Sequence, residues 1–339
     1  MQMDSEKPRV ASFFTGIGGF DLGFERTGMQ VVWQCEINEF CRDILKQHWP
    51  KVACAEDIKE LANEKQPGQG IPDAAVWAGG FPCQDVSLAR MGPRKGLRGK
   101  QSGLFFDFAR LIEARRPPTV VIENVAGLLS SHGGRDFQIV VSTLAKLGYG
   151  VGWRVLNSRY FGVPQSRQRV YIVACYRDPE RACSVLFEPE CSQGDAEPSR
   201  SDGAHIVSPF KKILGDTSKG PIVQGIAYCL YACSARHTGT DWSRTYVSYP
   251  DGRVRRLTPL ECERIQGFPD NWTIPRMKIA DLDRLDSLRY HAVGNAVTVS
   301  VAEWVGGRIV GAIQRQGAAE QRKSLAASIK QNFRRATAG

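Results

Sequence analysis

Short apolar runs separated by polar, glycine-rich stretches set the rhythm of the first half of the chain. Arg9 to Phe14, Val31 to Cys35, Val52 to Ala55, Ala74 to Ala78, Thr119 to Ile122 and Val170 to Val173 are compact apolar segments bounded by turn residues. Such runs fit strands buried on both faces of a sheet. Leu104 to Arg115 places Leu104, Phe105, Phe108, Leu111 and Ile112 at helical spacing, which predicts a core-facing helix, and another helix is predicted to begin near Phe20. The order predicts an α/β fold with a doubly wound, mostly parallel sheet.

The pattern changes from Arg177 to about Arg253, where Gly, Ser, Asp and Pro are frequent and long apolar runs are scarce. Loops with short strands are expected there, among them Gly225 to Ala232 and Thr245 to Tyr249. Thr258 to Gly267 reads as a helix capped by Thr258, with Glu261 three residues on. Apolar character returns from Leu288 to Ile309, where Gly294-Asn295-Ala296-Val297 turns into a helix. From Arg315 the chain is Ala-rich and basic, as in a frayed helix or a tail touching a polyanion. The expected division is a first domain over 8–176, a smaller loop- and strand-rich domain over 177–287, a return over 288–313 and a basic tail over 314–339.

With 339 residues, 42% of them hydrophobic, the chain can bury a sizeable core. Its formal net charge of +10 makes a polyanionic partner plausible without deciding the reaction. The chain lacks a run of about eighteen apolar residues. The opening Met1-Gln2-Met3-Asp4-Ser5-Glu6-Lys7-Pro8 lacks the apolar segment of a signal peptide, so a cytoplasmic protein without membrane contact is expected. Ten cysteines without dense regular spacing fit reduced thiols. Of Cys183, Cys191, Cys229 and Cys233, with His205 and His237, only Cys229 and Cys233 approach the close pairing of zinc ligands, and no metal is expected.

Candidate chemistry gathers at the predicted strand ends. Thr15-Gly16-Ile17-Gly18-Gly19 is a glycine-rich turn between strand and helix, where backbone can approach a nucleotide-like ligand. Taken alone it suits a dinucleotide oxidoreductase, or a plain tight connection, equally well. Glu36 ends the next strand about twenty residues on, where an acid can accept from ribose hydroxyls, and Asp57 ends the third. Two carboxylates suit a neutral adenosine and would repel a phosphorylated ligand.

Gly79-Gly80-Phe81-Pro82-Cys83-Gln84-Asp85-Val86-Ser87 is a strand end breaking into a loop, where Pro82 stiffens the backbone carrying the Cys83 thiol. A buried cysteine is ordinarily a small hydrophobe. Here it has company: Glu123-Asn124-Val125 follows another apolar strand, and Gln165-Ser166-Arg167-Gln168-Arg169 precedes a third. A thiol, a carboxyl group and two arginines can thus meet at one sheet edge. Leu88 to Gly103, with Arg90, Arg94, Lys95, Arg98 and Lys100 among glycines, is either a solvated loop or a lid that meets phosphates.

The succession Phe-Thr-Gly-Ile-Gly-Gly, Pro-Cys-Gln, Glu-Asn-Val, Gln-Ser-Arg-Gln-Arg, Arg-Leu-Thr-Pro-Leu-Glu-Cys-Glu-Arg-Ile-Gln-Gly-Phe-Pro and Gly-Asn-Ala-Val, running from about Val10 to about Val310, resembles the bacterial DNA (cytosine-5)-methyltransferases. That resemblance implies the S-adenosylmethionine-dependent methyltransferase fold and that cofactor. It implies Phe14, Gly16, Ile17 and Gly18 around the cofactor's amino acid part, Glu36 on its ribose with Ile37 adjoining, and Asp57 and Ile58 at its adenine. Gly80, Pro82, Leu104 and the backbone of Asn295, Ala296 and Val297 complete the cofactor set.

It further implies Cys83 as the nucleophile at cytosine C6, Glu123 at N3, and Arg167 and Arg169 at O2 and a neighbouring phosphate, with Arg169 preferred for the base. Gln84, Ser87, Arg98, Gln165, Arg236, His237 and Arg244 are the implied DNA contacts, the last three in the 177–287 interval, which becomes a target-recognition domain. The family often has Gly-Asp-Ile where Glu56-Asp57-Ile58 stands, and Ser where Ala296 stands. Double-stranded DNA is the implied partner of an expected monomer, and a cognate restriction endonuclease is left open. A tRNA cytosine methyltransferase, an oxidoreductase and a catalytically silent DNA-binding regulator are the alternatives.

Overall fold

The structure, a computed structural model, describes residues 7–63, 65–82, 103–187, 222–223, 225–230, 245–251 and 253–336. A seven-stranded sheet forms the centre. Its strands are β1 (Arg9–Phe13), β2 (Gln30–Cys35), β3 (Ala53–Ala55), β4 (Val76–Gly79), β5 (Thr119–Val125), β6 (Tyr149–Asn157) and β8 (Gln168–Tyr176). They lie in the order β3-β2-β1-β4-β5-β8-β6. All pairings are parallel except those of β8, which runs against both β5 and β6. The expected mostly parallel, doubly wound sheet is therefore present, with one reversed strand.

Alternate residues of the buried strands enter opposite layers, which is why the runs are apolar throughout rather than striped. Val10 joins Ile17, Phe24, Ile44, Leu45, Val299 and Val305 on one face. Its neighbour Ala11 joins Trp77, Phe105, Phe108, Leu111 and Leu144 on the other. The first layer includes α1 (Gly19–Glu25), α2 (Glu39–His48) and α6 (Pro179–Leu186); the second includes α3 (Ile58–Asn63), α4 (Leu104–Arg115) and α5 (Arg135–Lys146).

The strand order reverses between β1 and β4, so the loops leaving their carboxyl ends diverge and open a crevice. One loop is the glycine turn, and the other leads through Phe81 and Pro82 toward Cys83.

Beyond α6, within the strand expected at Gly225 to Ala232, Ala227–Tyr228 form β10, which pairs parallel with the two-residue β7 (Gln165–Ser166); residues 231 and 232 lie outside the described residues. The strand expected at Thr245 to Tyr249 is β11 (Tyr246–Ser248), paired antiparallel with β9 (Ile222–Val223) and β12 (Val254–Arg256). The predicted cap holds in α7 (Pro259–Gln266): Thr258 Oγ1 accepts from Glu261 N–H and the Glu261 carboxylate accepts from Thr258 N–H.

The boundary expected at residue 288 falls inside α8 (Leu282–Asn295), and α9 (Val299–Ala336) continues through the expected frayed segment to Ala336. By length and composition Leu282–Ala318 would span a membrane, but half of its most apolar window is buried in the fold, as in the core helix of a globular protein.

Candidate active site

The turn after β1 carries left-handed backbone at Phe14, Gly16 and Gly18, which only the glycines adopt without strain. A Cβ on Gly19 would lie 2.4 Å from the carbonyl oxygen of Val297, so this glycine lets the segment between α8 and α9 seat directly on the turn. A Cβ on Gly16 would meet nothing within 4 Å, leaving open space at that point of the turn. Phe14 packs edge-on against Phe108, and Ile17 is fully buried.

Glu36 closes the turn from the end of β2. Its Oε2 accepts from Gly16 N–H at 2.7 Å and its Oε1 from Asn38 N–H at 2.8 Å. Burial raises the carboxyl pKa against the pull of those donors and of Arg42. Each carboxylate oxygen keeps a lone pair beyond the bond it already makes, which suits hydroxyl donors. Ile37 beside it is 68% exposed, an apolar side chain with a face available to an apolar ring.

Arg42 donates to the carbonyls of Glu36 and Ile37 and pairs with Glu56 at 3.4 Å, so the residue replacing the usual glycine braces this edge. Asp57 Oδ1 accepts from Lys59 N–H at the start of α3, and Ile58 is buried. Open space at Gly16, a partly satisfied carboxylate and an exposed isoleucine fit the amino acid, ribose and adenine parts of S-adenosylmethionine.

Two strand ends carry the second half of the site. Glu123 lies within β5, and a Cβ on Gly80, just past β4, would stand 3.2 Å from its Oε2. Gly80 thus makes room for the carboxylate. Asn124 Nδ2 donates to Phe81 O at 3.2 Å, tying β5 to the loop just before Pro82, while its Oδ1 accepts from Val125 N–H. No side chain caps the helical turn that follows, Ala126–Leu129. Arg169 Nε stands 3.1 Å from Glu123 Oε1, with both side chains largely buried. Leu104 is half-buried at the start of α4. Cys83, Gln84, Ser87, Arg98, Arg236, His237 and Arg244, with the expected lid, lie outside the described residues.

Three expectations need correction. Gln165, expected at DNA, is fully buried: its Nε2 donates to Gln266 Oε1 and its Oε1 accepts from Leu230 N–H. Arg167, expected at the base or a phosphate, is 2% exposed, and its guanidinium donates to the carbonyls of Leu230, Gly294 and Ala296 at 2.9–3.2 Å. Burial lowers its pKa, yet three carbonyl dipoles compensate the charge.

Ala296, expected to offer its backbone to the cofactor, uses its carbonyl for Arg167 and Gln266 and its N–H for Val293. Asn295 is exposed and Val297 half-buried beside it. Periodicity alone missed this buried polar hub; the signal was the density of Gln, Arg and Thr next to buried strands. Cys229 adjoins it, with Sγ 3.7 Å from Arg167 Nη1 and 3.8 Å from Arg169 Nη2. Among the described residues no cluster of His, Cys, Asp and Glu could hold a metal ion.

A parallel sheet with one reversed strand, a glycine turn at its switch point and a ribose-type acid at the next strand end define the class, an S-adenosylmethionine-dependent methyltransferase. Solved structures agree on the fold: S. pombe Dnmt2 methyltransferase superposes with a TM-score of 0.63 at 20% identity, covering 91% of this chain and 99% of that one. A putative DNA modification methyltransferase encoded within an E. coli prophage gives 0.58 at 19% identity, covering 91% and 100%. The family model for C-5 cytosine-specific DNA methylase matches residues 8–219 and 208–311. Type II methyltransferase M2.BsuMI of Bacillus subtilis (strain 168) is 32% identical over 88% of this chain and 74% of its own length. Type II methyltransferase M.HhaI of Haemophilus parahaemolyticus is 28% identical over 88% and 92%. The chain belongs to the C-5 cytosine-specific DNA methylase family and is a DNA (cytosine-5)-methyltransferase.

Proposed function

We propose that the enzyme methylates C5 of a cytosine extruded from a specific duplex DNA site, by way of a covalent bond between Cys83 and C6. The observation that carries this reading is the placement of Glu123: its carboxylate lies against Gly80, three residues before Cys83, and pairs with Arg169 from the reversed strand.

C5 of an intact cytosine ring is a poor nucleophile. Addition of the Cys83 thiolate at C6 breaks the conjugation, and protonation or hydrogen bonding at N3 by Glu123 draws the electron pair into the ring. The bound cofactor supplies an electrophilic methyl group, which C5 then takes. Loss of the C5 proton restores the double bond and expels the thiolate. Arg169 holds Glu123 in place and offers a cation to the base oxygen. The Gly16 turn, Glu36 with Ile37, and Asp57 hold the amino acid, ribose and adenine parts of the cofactor. C6 is stacked in the duplex, so the base must leave the stack at a cost of a few kcal/mol, and a second lobe must grip the DNA.

That lobe is the 177–287 interval, with Arg236, His237 and Arg244 as the reading residues. The enzyme is cytoplasmic and monomeric in this reading, and the Type II names of its relatives support a place in a restriction–modification pair with an endonuclease as its counterpart. The test uses duplex DNA carrying 5-fluorocytosine, S-adenosylmethionine and the full-length protein on a denaturing gel. A covalent band with wild type and none with Cys83→Ser is the expected result. No band on DNA of broad sequence content, with cofactor binding demonstrated, would overturn the reading; a band on tRNA instead would redirect it.

A further inference from the structure

We propose that Trp272 is a positioning residue for cofactor binding, which shapes the glycine turn from within the carboxyl-terminal part of the 177–287 interval. The proposal rests on the reading of that turn as the cofactor's seat.

The turn is held at three successive residues. Gly16 N–H donates to Glu36 at 2.7 Å, Gly18 N–H donates to Thr15 O at 3.0 Å, and the Ile17 carbonyl between them accepts from the indole Nε1–H of Trp272 at 2.9 Å. The outer two bonds come from residues in and around β1 and β2. The middle one comes from a residue 255 positions away in sequence. Because a trans peptide points its C=O and N–H in opposite directions, fixing the Ile17 carbonyl also holds the Gly18 N–H on Thr15 O and so the plane of the peptide between them.

Trp272 is itself held firmly. It is 7% exposed, and its ring stacks on His48 with centroids 3.5 Å apart and planes 2° from parallel. His48 Nε2 lies 3.0 Å from the Trp272 carbonyl, and burial lowers the His48 pKa, so the neutral ring can donate there. Asp43 Oδ2 accepts from the N–H groups of Arg276 and Met277, anchoring the same segment to α2 again. Trp49 packs across the Trp272 ring edge and fills the space that a Cβ on Gly18 would need, at 2.5 Å. Ile17 and Gly18 therefore rest against a pair of indoles packed on each other, one giving shape and the other a hydrogen bond. A phenylalanine at 272 would keep the stack and lose the donor, so the specific contribution of Trp272 lies in its N–H.

The test measures binding of S-adenosylhomocysteine to the full-length protein by calorimetry, with wild type, Trp272→Phe and Glu36→Gln side by side. Without the indole donor the turn must be reordered when ligand binds, at a cost up to the worth of one ordinary hydrogen bond, which predicts roughly three- to tenfold weaker binding by Trp272→Phe. KM for S-adenosylmethionine should rise by a similar factor while kcat and the KM for DNA hold, a split that general destabilisation would not produce. Unchanged affinity in Trp272→Phe, with Glu36→Gln weakened, overturns the inference alone. Unchanged affinity in Glu36→Gln overturns the reading of the turn itself. Wild-type protein supplies a second measurement that needs no folded variant: hydrogen exchange of the peptide covering 268–277 should slow several-fold when S-adenosylhomocysteine is added, and unchanged exchange there counts against the proposal.

Discussion

Glu123 and Arg169 are diagonal neighbours across the reversed strand. Glu123 faces Tyr171 in the β5–β8 register, Arg169 lies two residues along on the same face, and the two charges meet at 3.1 Å. The pair lacks the alignment of a hydrogen bond, and Glu123 Oε1 has no other donor among the described residues. A carboxylate steadied by charge and not fully satisfied is suited to taking and giving a proton at the base. Glu123→Gln should lower single-turnover methylation by roughly a hundredfold or more, the usual worth of acid–base assistance, while S-adenosylhomocysteine binding and the thermal midpoint stay near wild type. A rate within about threefold of wild type would remove Glu123 from the mechanism.

Arg167, two residues earlier, should behave oppositely. Replacing it with Met leaves the buried carbonyls of Leu230 and Gly294 short of this donor and Ala296 with Gln266 alone, at a cost of about 3 kcal/mol. Lysine cannot fork to Gly294 and Ala296 at once and should recover little. Urea midpoints are the measure: a large loss for Arg167→Met and a small one for Arg169→Met is expected, and equal losses would refute the division of labour.

Asp21 links β1 and β2 beneath the glycine turn, accepting from Ser12 Oγ at 3.0 Å and Gln34 Nε2 at 2.8 Å. Burial pushes its carboxyl up to about 6 from 3.8. Because the folded value is raised, its contribution to stability is fully present below the unfolded value near 3.9 and is lost as pH climbs through about 6. Wild type should lose up to about 3 kcal/mol relative to Asp21→Asn between pH 4 and pH 7. Unfolding both proteins in urea across that range checks the sign; curves that stay parallel would show that Asp21 is not the group concerned.

Gly19→Ala places a methyl 2.4 Å from the Val297 carbonyl, which backbone on both sides cannot absorb without moving. The segment between α8 and α9 should lift from the turn. At least tenfold weaker S-adenosylhomocysteine binding is expected by calorimetry. Gly28→Ala, whose added methyl meets nothing within 4 Å but whose φ is +88°, serves as the control for backbone strain. Equal effects in both variants would attribute the loss to strain elsewhere rather than to the contact.

The buried strands, the capped helix α7 and the seating of Glu36 at a strand end were legible in the sequence, because each depends on local order: apolar runs, a Thr–Glu spacing, an acid where a run stops. Glu123 instead lies inside β5, whose ladder runs on to Val125. The pairing of Ala227–Tyr228 with β7 was not legible, since it joins two short segments far apart in the chain, Ala227 opposite Gln165 and Tyr228 opposite Ser166. Arg167 and Arg169 look alike in Gln-Ser-Arg-Gln-Arg, yet one precedes β8 and turns into a buried hub while the other lies in the ladder beside Glu123.

The sequence by itself determined the family, the cofactor class and the order of the chemical groups, because motif spacing and strand pattern are properties of neighbouring residues. Only the tertiary structure decided that Gln165 and Arg167 serve the interior, that Asn124 braces the loop before Pro82 and that Trp272 reaches Ile17. Those assignments depend on which donors and acceptors meet once water is excluded, and the partners lie 43 to 255 residues apart in the chain.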